Sequence, residues 1–174
     1  ATTTIDGGSV QIIGDAGAST TINAQGSGTY SFEVNDGVFN AEYYVFNDLD
    51  INGLIFNGAP SVTSLNNGEF ILALDSGSLI TLSSTTLSAN PSKFIDNVRV
   101  ATTTAISGRN IDLNATTSTA WTFRDHYGNL SGERFDSDGL ISQDCGSIRW
   151  DDSSCLLIEQ THYRWRNDDG GLGV

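Results

Sequence analysis

Short runs of alternating apolar and polar residues recur along the chain, and turn-forming Gly, Asn and Asp residues separate them. The clearest runs are SVQIIGD, TYSFEVNDG, AEYYVFND, GEFILALD, GSLITLSS and AWTFRDHYG. Alternation with a period of two is typical of β-strands, and each run has a usual strand length. No segment shows the i, i+3, i+4, i+7 apolar spacing of an amphipathic helix. The pattern therefore predicts an all-β protein.

A turn followed by a strand repeats along the first half of the chain. The segments 5–12, 34–41 and 65–72 each place a Gly after turn-forming residues, at Gly8, Gly37 and Gly68, so the spacings are 29 and 31 residues. A looser copy occupies 106–113. A fixed period of this length is typical of solenoids. We therefore expect a right-handed parallel β-helix of about four coils. The alternative is an antiparallel β-sandwich, whose strands also recur between regular turns.

The composition changes near Trp121. All three tryptophans and most of the arginines lie in the last part of the chain. Solenoids need caps that cover their apolar ends and unpaired strand edges. We therefore expect solenoid repeats over residues 1–119 and an aromatic cap or hairpin module over residues 120–174 that packs on the solenoid.

Charge excludes two classes of partner. The formal net charge is −13, and residues 1–92 contain no Lys or Arg. Nucleic-acid binding requires a basic surface, and an anionic membrane repels an acidic one. No apolar run is long enough to span a bilayer. We expect no nucleic-acid partner and no membrane insertion.

Processing and cysteine usage indicate an extracellular compartment. The sequence lacks Met and begins at Ala1, as expected after removal of a signal peptide. Cys145 and Cys155 bracket a short segment, and in a secreted chain such a pair predicts one disulfide that closes a hairpin. Two free buried thiols are the alternative.

The last third of the chain resembles a known type of protein. The strings AWTFRDHYGNLSGERFDSDG (120–139), GSIRWDDSSC (146–155) and EQTHYRWRNDDG (159–170) carry the resemblance. They are similar to a segment of large secreted bacterial surface proteins, in which Thr-, Asn- and Gly-rich β-helical repeats precede it. The resemblance implies a location at the bacterial cell surface and a β-helical architecture, but no reaction.

Acidic residues cluster in the same region. Asp136 and Asp138 alternate within an FDSDG turn, and alternating carboxylates before a Gly are how loops present oxygen ligands to calcium. This pattern predicts a structural calcium site, and the alternative is a solvated acidic turn. The candidate ligands are Glu133, Asp136, Asp138, Asp151 and Asp152.

The strand THYRWRNDDG separates two kinds of side chain. Arg164 and Arg166 point to one face, and Tyr163 and Trp165 point to the other. Aromatic rings of this kind bind sugars or a partner chain, or they pack in a core. The candidate interface residues are Trp121, Trp150, Tyr163, Trp165, Arg164 and Arg166.

Catalytic patterns are weak. No G-x-S-x-G motif accompanies His126 or His162, and the carboxylates cannot be paired from sequence alone. We therefore expect a non-enzymatic structural or adhesive surface protein without a cofactor other than calcium. We expect its partners to be further copies of itself or other surface proteins. A carbohydrate-binding module is the first alternative, and a polysaccharide-degrading enzyme is the second.

Overall fold

The fold is an all-β parallel solenoid of about five turns. The computed structural model describes residues 1–74, 76–103, 107–113, 117–138 and 146–151. All pairings between the named strands of these residues are parallel. The prediction of a parallel β-helix is therefore confirmed, with about one more turn than expected, and the antiparallel sandwich is excluded. The right-handedness of the coil stays a prediction.

Ten strands, one short helix and one 3₁₀ turn make up the described residues. The first sheet has the order β7-β4-β3-β5-β8, with β1 and β2 also paired to β3, and the second has the order β10-β9-β6. The bounds are β1 Thr2–Ile13, β2 Thr20–Ile22, β3 Tyr30–Phe56, β4 Ser61–Leu72, β5 Ser78–Leu82, α1 Ser84–Ala89, β6 Lys93–Asp96, β7 Arg99–Thr102, β8 Arg109–Leu113, β9 Trp121–Arg124, the 3₁₀ turn Glu133–Phe135 and β10 Ile148–Trp150.

The first two predicted repeats stack directly on each other. Ile5 lies opposite Val34, and Val10 lies opposite Phe39. Each pair consists of apolar residues that contribute to the core or pack against it. The repeat spacing of 29 residues therefore corresponds to one full turn of the coil.

The third predicted repeat stacks in a different register. Gly68 lies opposite Tyr44 rather than Gly37, because the turn between β3 and β4 is 24 residues at this point. The looser fourth repeat, 106–113, contributes β8, which pairs with β5 and not with β4. The common turn chemistry of these segments marks corners of the coil, but not the same corner in each turn.

Strand β3 runs continuously around several corners of the coil. Tyr43, Asp48 and Gly53 have positive φ angles of 52°, 60° and 63°. Each of these left-handed residues comes directly before an inward-facing one, so the alternation of inward and outward side chains restarts after every corner. The result is a series of fully buried side chains at every fifth position: Val34, Phe39, Tyr44, Leu49 and Leu54.

One corner recurs in four successive turns. Tyr43, Asn67, Asn97 and Asp125 all have φ between 52° and 56°. Asn67 and Asn97 stack, and the Asn97 Nδ2 donates to Asn67 Oδ1 at 3.0 Å. Asn and Asp tolerate the left-handed conformation better than other residues with a side chain. These side chains therefore fix the corner without glycine.

Aromatic side chains fill the core. Phe46 lies opposite Phe70 in the stack, with parallel rings 5.6 Å apart. Phe123 stacks on Trp150 in the same manner at 4.6 Å. Full burial of one such ring stabilises the fold by about 1.5–3 kcal/mol. These ladders bind one turn of the coil to the next.

Helix α1 lies outside the coil and is attached to it through Asn90. The Asn90 Oδ1 accepts the Val62 N–H at 2.8 Å, and its Nδ2 donates to the carbonyls of Pro60 and Thr86. The Asn90 side chain is buried. A buried amide whose hydrogen bonds are satisfied holds a loop in one position, since breaking any of them would leave polar groups unpaired.

Parallel stacking extends into the segment that we predict to be a separate module. Strand β9 pairs with β6, and β10 pairs with β9. The division at residue 119 stays a prediction.

Candidate functional site

Two of the predicted calcium ligands lie around the indole of Trp150. The Trp150 Nε1 donates to Asp136 Oδ2 at 2.8 Å. Asp138 is almost fully buried and accepts the Ile148 N–H at 3.2 Å. Burial raises the pKa of Asp136 to about 7, and the nearby Asp138 charge adds to the rise. These carboxylates act as hydrogen-bond acceptors for the core.

A third predicted ligand, Asp151, belongs to a different network. Its Oδ2 accepts the Asp125 N–H at 2.8 Å, and its Oδ1 lies 2.9 Å from His126 Nε2. The His126 Nδ1 contacts the Ser131 hydroxyl. The imidazole is 6% exposed and packs edge-on against Trp150 at 4.8 Å. The connectivity is that of a serine-based triad, but the imidazole is nearly enclosed, so we interpret the network as a structural link between the turn and β10.

The described carboxylates do not form the predicted calcium site. Within residues 1–74, 76–103, 107–113, 117–138 and 146–151, no three His, Cys, Asp or Glu side chains are grouped so that they could hold a metal ion. Asp136 and Asp138 serve Trp150 and Ile148, whereas Asp151 pairs with His126. The predicted shared site at Glu133, Asp136, Asp138 and Asp151 is therefore wrong for these four residues, and Asp152 lies outside the described residues.

Two of the predicted interface tryptophans are core residues. Trp121 and Trp150 are fully buried, and the Trp121 Nε1 donates to the Asn90 carbonyl at 2.9 Å. Their placement in an exposed interface is therefore corrected, because neither ring has a free face for a ligand. The packing alternative holds for both. The remaining predicted residues lie outside the described residues: Cys145, Cys155, Tyr163, Arg164, Trp165 and Arg166.

An exposed aromatic patch occurs instead on the second sheet. The Phe94 side chain is 55% exposed, and the Arg124 guanidinium lies 4.5 Å from its ring centroid. Arg124 also forms a bidentate ion pair with Asp96, at 2.6 and 2.7 Å. The register places Asp96 opposite Arg124 in adjacent turns. The sequence offered a weak signal for this patch, which is the outward position of Phe94 in the run KFID.

The N-terminal edge, defined as the side of β1 that faces away from β3, is the second exposed feature. Among the described residues, β1 pairs with β3 alone. The Gly14 N–H donates to the Glu42 carbonyl at 2.9 Å, and Glu42 lies opposite Ile13. In a parallel ladder this arrangement directs the N–H and C=O of Ile13, Gln11 and Ser9 away from β3. The edge therefore offers a row of backbone donors and acceptors.

Side chains at the N-terminal edge continue the core to the end of the solenoid. Ile12 is buried and Val10 is half-buried, whereas Ile13 is 48% exposed. An open cavity of about 500 Å³ lies at the same end, and Ile22, Tyr30 and Phe32 contribute to its wall. The sequence analysis missed this site because the strand SVQII has the same appearance whether or not another turn covers it.

The comparisons with known proteins add no identity. No family model, curated protein or solved structure matches this chain. In the described part of the chain, no helix has the length and apolar character needed to cross a membrane. The class that the fold defines is a parallel β-solenoid, and the function is argued from the exposed features alone.

Proposed function

We propose that this chain is an extracellular structural or adhesive protein that associates with further copies of itself through the N-terminal edge. The observation that carries the proposal is the 12-residue strand β1, which is paired on one side only among the described residues. A long unpaired strand is a template for pairing with another chain. Self-association would satisfy its backbone groups and cover Val10.

The edge lacks the features that proteins use to prevent such pairing. Natural edge strands carry Lys, Pro, inward charges or a very short length. Residues 7–14 contain no charged residue and no Pro. The irregularity at Asp6 lies before the regular part of the strand, so Ser9–Ile13 stays in continuous register with β3. The edge is therefore open to a partner strand.

An extracellular location is supported by composition and by the resemblance of the C-terminal third to bacterial surface proteins. The first 92 residues have no Lys or Arg, so trypsin-like proteases have no cleavage site there. Closely stacked turns with satisfied corners suit a protein that persists outside the cell. We propose no catalytic role, because the candidate His126 is nearly enclosed and packs against Trp150.

The test is the substitution Gln11→Pro, which removes one outward N–H. The ladder geometry leaves this N–H free of β3, so proline is compatible with an edge position here. We expect wild-type protein to self-associate in light scattering over a concentration series, and Gln11→Pro to be monomeric. Gln11→Ala is the matched control and should behave as wild type. Equal association of all three proteins would show that the edge is not the contact.

The carbohydrate-binding alternative is favoured by one specific observation. Phe94 presents an exposed ring next to the Arg124–Asp96 ion pair, and aromatic faces with adjacent hydrogen-bonding groups suit sugar rings. This function predicts glycan binding that Phe94→Ala abolishes. Arg109→Gln is the control, since Arg109 pairs with Asp112 on β8. A glycan screen without a hit for the wild-type protein would eliminate it.

A further inference from the structure

The segment Ser9–Ile13 has the features of a strand that pairs with itself. Its outward backbone groups belong to Ser9, Gln11 and Ile13, as the bond from Gly14 to Glu42 fixes. The side chains of the same three residues are exposed. Val10 and Ile12 between them face the core. Polar or exposed groups thus alternate with core-facing apolar groups over five residues.

Charge decides which partner strand suits this segment. The chain carries −13, yet the five residues are uncharged, and the nearest carboxylates are Asp6 and Asp15 on either side. A partner strand must therefore be neutral over five residues and offer apolar residues to extend the core beside Val10 and Ile12. A second copy of the same segment meets both conditions without any other molecule.

We infer that two copies of this chain pair antiparallel through β1, with Gln11 of one copy opposite Gln11 of the other. This inference rests on the proposed self-association and specifies its geometry. Ser9 then lies opposite Ile13, and Val10 lies opposite Ile12. The contact is isologous, so it closes after two copies.

This register is preferred over its neighbours for two reasons. It places each of the three outward-facing residues opposite another outward-facing residue, so that all of their N–H and C=O groups find partners. A shift of the centre to Val10 or Ile12 would bring one end of the segment against Gly7 or Asp15. The chosen register places Asp15 opposite Gly7, outside the paired segment. It therefore satisfies the largest number of backbone groups without pairing a carboxylate.

Cysteine cross-linking tests the register. In Gln11→Cys the two new thiols face each other across the two-fold axis, at a Cα separation of about 5.5 Å, which a disulfide can span. Ser9→Cys is the matched control, because it lies on the same exposed face of the same strand. Its two copies would be about 13 Å apart along the strands, given about 3.3 Å per residue, and too far to bridge.

We expect mild oxidation to convert Gln11→Cys to a covalent dimer on a non-reducing gel and to leave Ser9→Cys at the wild-type level. The wild-type protein, which retains Cys145 and Cys155, sets the background. Self-association without selective cross-linking at Gln11 would overturn the antiparallel register and leave the edge proposal standing. A wild-type protein that stays monomeric at every concentration would overturn both.

Discussion

Gly68 lies directly beneath the ring of Tyr44, in the adjacent turn of the coil. A Cβ on Gly68 would come within 2.0 Å of Tyr44 Cζ. The Tyr44 ring cannot move aside easily, because its hydroxyl donates to the Leu65 carbonyl at 2.8 Å in the buried core. Burial of this phenol also raises the pKa of Tyr44 well above its ordinary value. Glycine at this position is therefore required for space rather than for backbone conformation.

We expect Gly68→Ala to lower the free energy of unfolding by about 1–3 kcal/mol, because the added methyl overpacks the core. Urea denaturation measures this change. Gly28→Ala is the control, since the nearest atom to its Cβ would be the Gln25 carbonyl oxygen at an ordinary 3.8 Å. Equal stability of the two variants would show that the Tyr44 ring is not held against Gly68.

The phenylalanine ladder should carry a large share of the stability. Phe46→Ala removes a fully buried ring that stacks on Phe70, so we expect a loss of about 3–5 kcal/mol from the resulting cavity. Phe94→Ala removes the same side chain from an exposed position and should change stability by less than about 0.5 kcal/mol. Thermal unfolding of both variants checks the difference, and similar losses would contradict the stacking.

The loop that follows α1 should depend on Asn90. Asn90→Ala leaves the buried Val62 N–H and the Pro60 carbonyl without this partner, so we expect a loss of about 3 kcal/mol. Asn52→Ala, at an exposed position on β3, is the matched control and should be close to neutral. Hydrogen exchange gives a second measurement, since the Val62 amide should lose its protection in Asn90→Ala. Unchanged protection there would refute this role.

Asp136 should make stability depend on pH in an unusual direction. Its folded pKa of about 7 is above the ordinary value of 3.8, so the folded state binds more protons than the unfolded state between these two values. Acidification from pH 8 to pH 5 should therefore stabilise the fold through this residue, and the contribution is lost as the pH rises through 7.

The substitution Asp136→Asn isolates this contribution from that of the other carboxylates. An asparagine still offers an oxygen to the Trp150 Nε1 but carries no charge at any pH. We expect the variant to be more stable than wild type at pH 8 and to lose that advantage by pH 4. Urea unfolding over this range provides the measurement. A difference between the two proteins that does not vary with pH would contradict the raised pKa.

Part of this architecture could be predicted from sequence because corners and strands leave local signals. The repeat from Gly8 to Gly37 predicted one turn of the coil correctly, since both glycines have positive φ. The spacing of five between Val34, Phe39 and Tyr44 is also visible in the sequence. It was obscured because the corner at Tyr43 uses a residue that rarely adopts a left-handed conformation.

The remaining features depend on which turns lie next to each other. Trp121 and Trp150 have the composition of interface residues, yet stacking on Phe56 and Phe123 buries them. Asp151 lies beside His126 rather than beside Asp136, because the register of β9 and β10 sets its position. Sequence spacing alone cannot give such distances between residues in different turns.

Self-association is the central claim, and sedimentation equilibrium of the wild-type protein over a wide concentration range tests it most directly. The account predicts a weight-average mass that rises with concentration from 18.5 kDa for one chain toward twice that value. Added salt should favour the rise, because it screens the repulsion between two acidic chains. A mass that stays at 18.5 kDa at every concentration and salt level would contradict the account.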